Sequence, residues 1–192
     1  MYVLPCRDED LLKVGFSREP MQRFRTLHRR FFEFFDLERG LLIEVDRVVQ
    51  ARRIERLFLT TWANHRAPAP LAVPKSAAGY TEWYRGISDQ LTSRARQLAQ
   101  DEALILHEPL RCWLATELDG RADALYDWSE RMLTEALLER EHAGLPGAGP
   151  MEQALLDTLA LCESMRLPLG KLLPEAVAEW HRYGAHRGLY DP

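Results

Sequence analysis

Tyr2, Lys13, Arg23 and Glu55 are side chains of this 192-residue sequence whose types could together act on a phosphate group. Arginine carries a permanent charge on a planar donor fork that matches phosphate oxygens two at a time. A glutamate is a hard oxygen ligand of the kind Mg²⁺ accepts, and one is enough for an ion that keeps waters and phosphate oxygens in its other positions. Lysine adds positive charge or, where burial lowers its pKa, serves as a base. A tyrosine hydroxyl held by a stiff strand can orient or deprotonate a water. Each residue also has a plain structural reading. Tyr2 fits an amphipathic strand, Lys13 a solvated strand position and Arg23 an ordinary surface arginine. Glu55, among Arg52, Arg53 and Arg56, fits a partner in helical ion pairs worth roughly 0.2–0.5 kcal/mol each.

The elements that must position these groups are legible in the hydrophobic pattern. Tyr2-Val3-Leu4 and Leu11 to Phe16 are short apolar runs with β-branched and aromatic residues, separated by the polar turn Arg7-Asp8-Glu9-Asp10, and predict a β-hairpin. Ser17 is an N-cap candidate and Pro20 suits a first helical turn. Met21, Phe24, Leu27 and Phe31 then recur at helical spacing, predicting a helix from Glu19 to Phe31. Leu41 to Val45 reads as a third strand, with Asp46 capping a second helix over Val48 to Asn64. That helix would bury Ala51, Ile54, Leu57, Phe58 and Trp62. Residues 66–79, with Pro68, Pro70 and Pro74, read as a long loop without regular structure.

Beyond about Ile87 the period is helical almost throughout. Leu125, Trp128, Met132, Leu133, Ala136 and Leu137 form one stripe and Leu155, Leu159 and Cys162 another, with Gly144 to Pro150 as a connector. The expected organisation is an α+β domain over residues 1–88, β-β-α-β-α in order with a small mixed sheet, followed by an all-α region over 89–192. Asp119, Asp123, Glu130 and Glu135 read as a solvated acidic face. Trp113, Trp128 and Trp180 read as core.

Composition narrows the function classes. Nearly half the residues are hydrophobic and over a quarter charged, as in ordinary globular proteins. The three cysteines, Cys6, Cys112 and Cys162, are too far apart for a disulfide framework or a zinc knuckle and read as small buried residues. The histidines lack metal-ligand spacing. No apolar run is long enough to cross a membrane, and no basic leader precedes an apolar stretch, so a cytoplasmic location is expected. The net charge of −4 is unevenly spread: 17 Lys/Arg against 12 Asp/Glu up to residue 100, and 8 against 17 after it. A basic front facing nucleic acid and an acidic back is one reading; mutual attraction of the halves is the other. Arg18, Arg25, Arg29, Arg30 and Arg52, with Arg23, Arg53 and Arg56, could follow a phosphate backbone or form a solvated face.

Taken in order, Tyr2-Val3-Leu4, Lys13-Val14-Gly15-Phe16-Ser17, Pro20-x-x-Arg23-Phe24, Ile54-Glu55-x-x-Phe58 and Glu82-Trp83-Tyr84 resemble the GIY-YIG endonucleases. The resemblance is to the phage-type variant with Lys-Ile-Gly in place of Tyr-Ile-Gly. It covers about the first 88 residues. It implies a Mg²⁺- or Mn²⁺-dependent nuclease acting on DNA: Glu55 would hold the ion, Arg23 the phosphate, and Tyr2 the attacking water. Lys13, in the place of the second tyrosine, would add charge or act as a base, and Gly15 would let the backbone pass close to substrate or helix.

The sequence also departs from that pattern. Met1 stands where the first motif has a glycine. A histidine or tyrosine later on the first helix is met only loosely by His28. The asparagine that commonly follows the glutamate has no clean counterpart, Asn64 and His65 being the nearest polar residues. Glu82 and Trp83 read as packing and strand-end residues. A non-catalytic nucleic-acid-binding or protein-interaction module that keeps the fold is the alternative function, and the acidic helical half is a candidate surface for a protein partner or self-association.

Overall fold

The computed structural model describes residues 1–78, 82–143 and 149–183. Most of the connector expected at Gly144 to Pro150 lies outside them. The chain divides into two compact units, residues 1–114 and 115–192.

The first unit is built on a five-stranded sheet. Strands β1 (Tyr2–Pro5) and β2 (Leu11–Gly15) form the expected hairpin, pairing Tyr2 with Gly15 and Leu4 with Lys13. Helices α1 (Pro20–Leu27) and α2 (Phe31–Phe34) follow. Then come β3 (Leu41–Ile43), α3 (Val48–Thr61), the short α4 (Lys75–Ala78), β4 (Trp83–Arg85), α5 (Ser88–Asp101), β5 (Leu106–His107) and α6 (Leu110–Asp119). The strand order is β4-β2-β1-β3-β5. The expected mixed sheet is instead antiparallel at every pairing. Hairpins and returning loops, not parallel crossovers, bring its neighbours together.

Because side chains alternate across a sheet, the register assigns them to faces. Tyr2, Leu4, Lys13 and Gly15 share one face, which α1 covers: Phe24 meets the Tyr2 ring edge-on at 5.2 Å. Val3, Leu12 and Val14 share the other with Ile54 and Phe58 of α3 and Leu91, Ala95 and Leu98 of α5, all buried. Both central strands are therefore buried along their whole length, and their hydrophobic runs do not alternate.

Several local expectations shift. The first helix stops at Leu27, since His28 is extended (φ −154°, ψ 131°), and Phe31 opens a separate turn. Residue 19 is its N-cap, and Ser17 Oγ instead accepts the Glu19 backbone N–H at 3.0 Å. Arg47, not Asp46, caps α3, which ends at Thr61 before a 3₁₀ turn over Ala63–His65. Of its apolar stripe, Ala51, Ile54 and Phe58 are buried, while Leu57 and Trp62 pack at the margin. The proline-rich segment is not wholly irregular: it contains α4, and Arg66 bridges to Tyr84. Strand β5 comes from the stretch expected to be helical, because its pairing with β3 is set by distant backbone. The first compact unit consequently runs past residue 88 to Leu114.

Within the second unit lie α7 (Ala122–Ala143), α8 (Pro150–Ser164), α9 (Leu169–Leu172) and α10 (Glu175–Tyr183). Leu133, Leu155, Leu159, Leu173 and Val177 form its core, with Leu125, Trp128, Met132 and Trp180 packed against it. Leu137 is exposed, unlike the rest of its stripe. Asp119, Asp123, Glu130 and Glu135 are exposed as expected, whereas Cys112, expected to be buried, is exposed. No helix among the described residues is long and apolar enough to cross a membrane.

Candidate functional site

Tyr2 projects from the first residue of β1 and is 1% exposed. Its ring lies directly on Gly15 of the neighbouring strand: a Cβ at residue 15 would fall 2.5 Å from the Tyr2 hydroxyl oxygen. Glycine is required here by that close approach, not by an unusual backbone angle. From α1, Arg23 Nε donates to the same hydroxyl at 3.3 Å, and another guanidinium nitrogen donates to the Ala77 carbonyl of α4 at 2.8 Å. The fork is thus braced by the first strand and by the proline-rich segment. Burial, the main cause, raises the Tyr2 pKa above its ordinary value against the lowering effect of Arg23, so its hydroxyl keeps its proton.

Lys13 is 1% exposed and shares the face of Tyr2. The expectation of a solvated lysine fails because Lys13 lies on the covered face of the sheet, held by Glu82 and the Trp83 ring from the chain around β4. Its ammonium lies 2.9 Å from Glu82 Oε2 and 5.5 Å from the centre of the Trp83 ring. Burial lowers its pKa, while the hydrogen bond and charge of Glu82 raise it.

Glu55 sits on α3 beside the buried Ile54 and is partly exposed. It does not pair with the arginines around it: among the described residues it makes no ion pair, and Arg53 is engaged by Glu102. Desolvation raises its pKa, and the neighbouring charge of Glu82 adds to the rise, against Lys13 and Arg52. Tyr2 and Lys13 both feel the Glu55 charge. All four candidate residues therefore belong to one electrostatic neighbourhood, which also contains Glu82. A concavity of about 590 Å³ lined by Phe16, Arg18, Pro20, Glu44, Val48 and Trp113, among others, is a separate feature: Tyr2, Lys13, Arg23 and Glu55 do not line it.

Among the described residues no three His, Cys, Asp or Glu side chains gather as a metal-ligand set. A cation here would rest on Glu55, whose destabilised negative charge suits one, with the remaining positions left to water and phosphate oxygens. His28 is not part of the cluster: it ends α1 and stacks on Phe34 at 4.5 Å. Asn64 and His65 are exposed, and His65 Nδ1 lies 3.3 Å from the Arg85 carbonyl. Glu82, read from the sequence as a packing or strand-end residue, instead reaches Lys13 and adds its charge beside Glu55. Its signal in the sequence was the Glu82-Trp83-Tyr84 motif of the resemblance, which assigned it no role at the site.

The basic candidates are less uniform. Arg18, Arg25, Arg29 and Arg52 are exposed. Arg30 instead lies over the Phe32 ring at 5.0 Å and pairs with Glu33 at 2.6 Å.

A phenol, a buried lysine, a braced arginine and a half-buried carboxylate thus stand together on a small α+β domain with an antiparallel sheet. The chain belongs to the T5orf172 domain family, whose model matches residues 1–99. This is a phage-associated domain with a GIY-YIG-like fold. Comparison with curated proteins and with solved structures gave no match.

Proposed function

We propose that this protein is a Mg²⁺- or Mn²⁺-dependent nuclease that hydrolyses DNA phosphodiester bonds, with Tyr2, Lys13, Arg23 and Glu55 as its catalytic residues. The observation that carries this reading is the Arg23 Nε to Tyr2 hydroxyl bond at 3.3 Å, within the electrostatic reach of Glu55.

Hydrolysis adds water oxygen to phosphorus, breaks one phosphorus–oxygen ester bond, and leaves a proton on the departing alcohol. Arg23 binds the phosphate and offsets the charge that grows on it in the transition state. Its fork is already held at two points, so little reorganisation accompanies binding. Tyr2, kept neutral by burial, orients the water as a hydrogen-bond partner instead of taking its proton as a phenolate. Lys13 adds fixed positive charge behind the phosphate. Glu55 would hold the divalent ion, which supplies Lewis-acid stabilisation and a more acidic water. Arg18, Arg25, Arg29 and Arg52 guide the DNA backbone, with Arg30 at the edge of that surface. Charge on the second unit, residues 115–192, suits a protein partner or self-association.

The test is cleavage of supercoiled plasmid and short duplexes with Mg²⁺, Mn²⁺ or EDTA, beside Glu55→Ala and Arg23→Ala. Metal-dependent nicking lost in both folded variants is expected. Cleavage equal in all three proteins, or absent from the wild type in every condition, favours a binding module with the same fold.

A further inference from the structure

The Lys13–Glu82 pair is the part of this neighbourhood that the four-residue reading leaves unexplained. The partners are 69 residues apart in sequence, yet their charged atoms lie 2.9 Å apart, with side-chain exposures of 2% and 22%. The backbone around them is fixed. Val14 N–H donates to the Glu82 carbonyl at 2.9 Å, and Lys13 is registered opposite Trp83. A charge buried this deeply is costly unless a partner is held in place. Lysine is also rare in this chain, with only three among its 25 basic residues.

We infer that Glu82 is a positioning residue of the site, its carboxylate fixing the buried Lys13 ammonium against the sheet so that its positive charge is held beneath the substrate. This rests on the reading of Tyr2, Lys13, Arg23 and Glu55 as one site. The groups that face Lys13 divide in sign. Glu82 before β4 and Glu55 on α3 favour its charged form, Arg23 on α1 and desolvation oppose it, and the Trp83 ring adds a weak attraction for the cation. Tyr2, which shares its face, stays neutral. The Lys13 ammonium donates to Glu82 Oε2 at 2.9 Å, so replacing that carboxylate removes both a hydrogen bond and a charge that favour the charged form over desolvation. A neutral lysine amine would not offset phosphate charge.

Two measurements on the full chain separate this inference from the nuclease reading. The first follows the Lys13 side chain directly, by NMR of ¹³C,¹⁵N-lysine protein titrated with pH in a Lys75→Arg, Lys171→Arg background, where it is the sole lysine. The expected results are a charged Lys13 at pH 7 in this otherwise wild-type background, and a titration midpoint lower by about one pH unit or more in Glu82→Gln. A neutral Lys13 at pH 7 without any change at Glu82, or an unmoved midpoint in folded Glu82→Gln, overturns the inference.

The second is the pH profile of DNA cleavage. Glu82→Gln should lower kcat with little change in KM and move the alkaline limb to lower pH, and Glu82→Asp should restore part of the loss. A Mn²⁺ affinity lost equally in Glu82→Gln and Glu55→Gln, with the Lys13 midpoint unmoved, would instead make Glu82 a metal ligand and refute its positioning role. A wild type without nuclease activity would remove the catalytic reading, while the lysine titration would still decide whether Glu82 holds Lys13.

Discussion

The ring of Tyr2 rests on the backbone of Gly15, so closely that an added methyl would lie 2.5 Å from the hydroxyl oxygen and 2.8 Å from the carbon bearing it. Phe24 packs the other edge of the ring, which leaves it little room to move aside. Gly15→Ala should therefore displace the hydroxyl from Arg23 and cost about 1–3 kcal/mol by overpacking. Chemical denaturation measures the cost. Cleavage under conditions where the variant remains folded should fall by more than about tenfold, the effect of mispositioning rather than unfolding.

Tyr2→Phe separates the hydroxyl from the ring. The ring packing remains and Arg23 Nε loses its acceptor, so the stability loss should be small, about 0.5–1.5 kcal/mol. Single-turnover cleavage should drop on the order of 10²-fold, as expected when a group that orients the nucleophile is removed. A variant that cleaves like the wild type would assign Tyr2 to packing alone.

For Glu55 the sign of the pH dependence follows from its raised pKa. Folding favours its neutral form, so the stability contributed by that preference is complete below the ordinary value of 4.5 and is lost as pH rises through the raised one. Glu55→Gln should accordingly melt about 1–3 °C above the wild type at pH 8 in EDTA, with the gap closing at low pH. Adding Mn²⁺ should raise the melting temperature of the wild type and leave the variant unmoved. Thermal melts across pH, with and without metal, check both statements.

Arg18, Arg25 and Arg52 are exposed, whereas Arg30 is paired with Glu33. Each of Arg18→Ala, Arg25→Ala and Arg52→Ala should weaken duplex binding and reduce the slope of log affinity against log salt by about 1. Arg30→Ala should change that slope less, because its charge is already engaged. Fluorescence anisotropy at several salt concentrations distinguishes the two behaviours.

Local sequence carried much of this molecule. The apolar runs around the turn at residues 7–10 specify the hairpin, and a hairpin fixes its own register through neighbouring residues. The role of Gly15 was not legible in the same way: it was expected to let the backbone approach substrate or helix, and it instead makes room for the Tyr2 ring. The α3 stripe was legible, since helical period is a property of consecutive residues. The break at His28 was not legible, because Phe31 keeps the helical spacing of Phe24 and Leu27 while the backbone turns away to bury Phe31 and Phe32.

What the sequence by itself determined is the set of local elements that bear the candidate residues, and the family to which residues 1–99 belong. Tertiary structure alone decided that Lys13 is buried rather than solvated, that β5 completes the sheet, and that Glu82 reaches Lys13. Each of those facts depends on pairing between segments far apart in the chain. The identity of a lysine or a glutamate carries no record of which distant strand will close over it, and only the packed sheet turns a strand-end carboxylate into the partner of a buried ammonium.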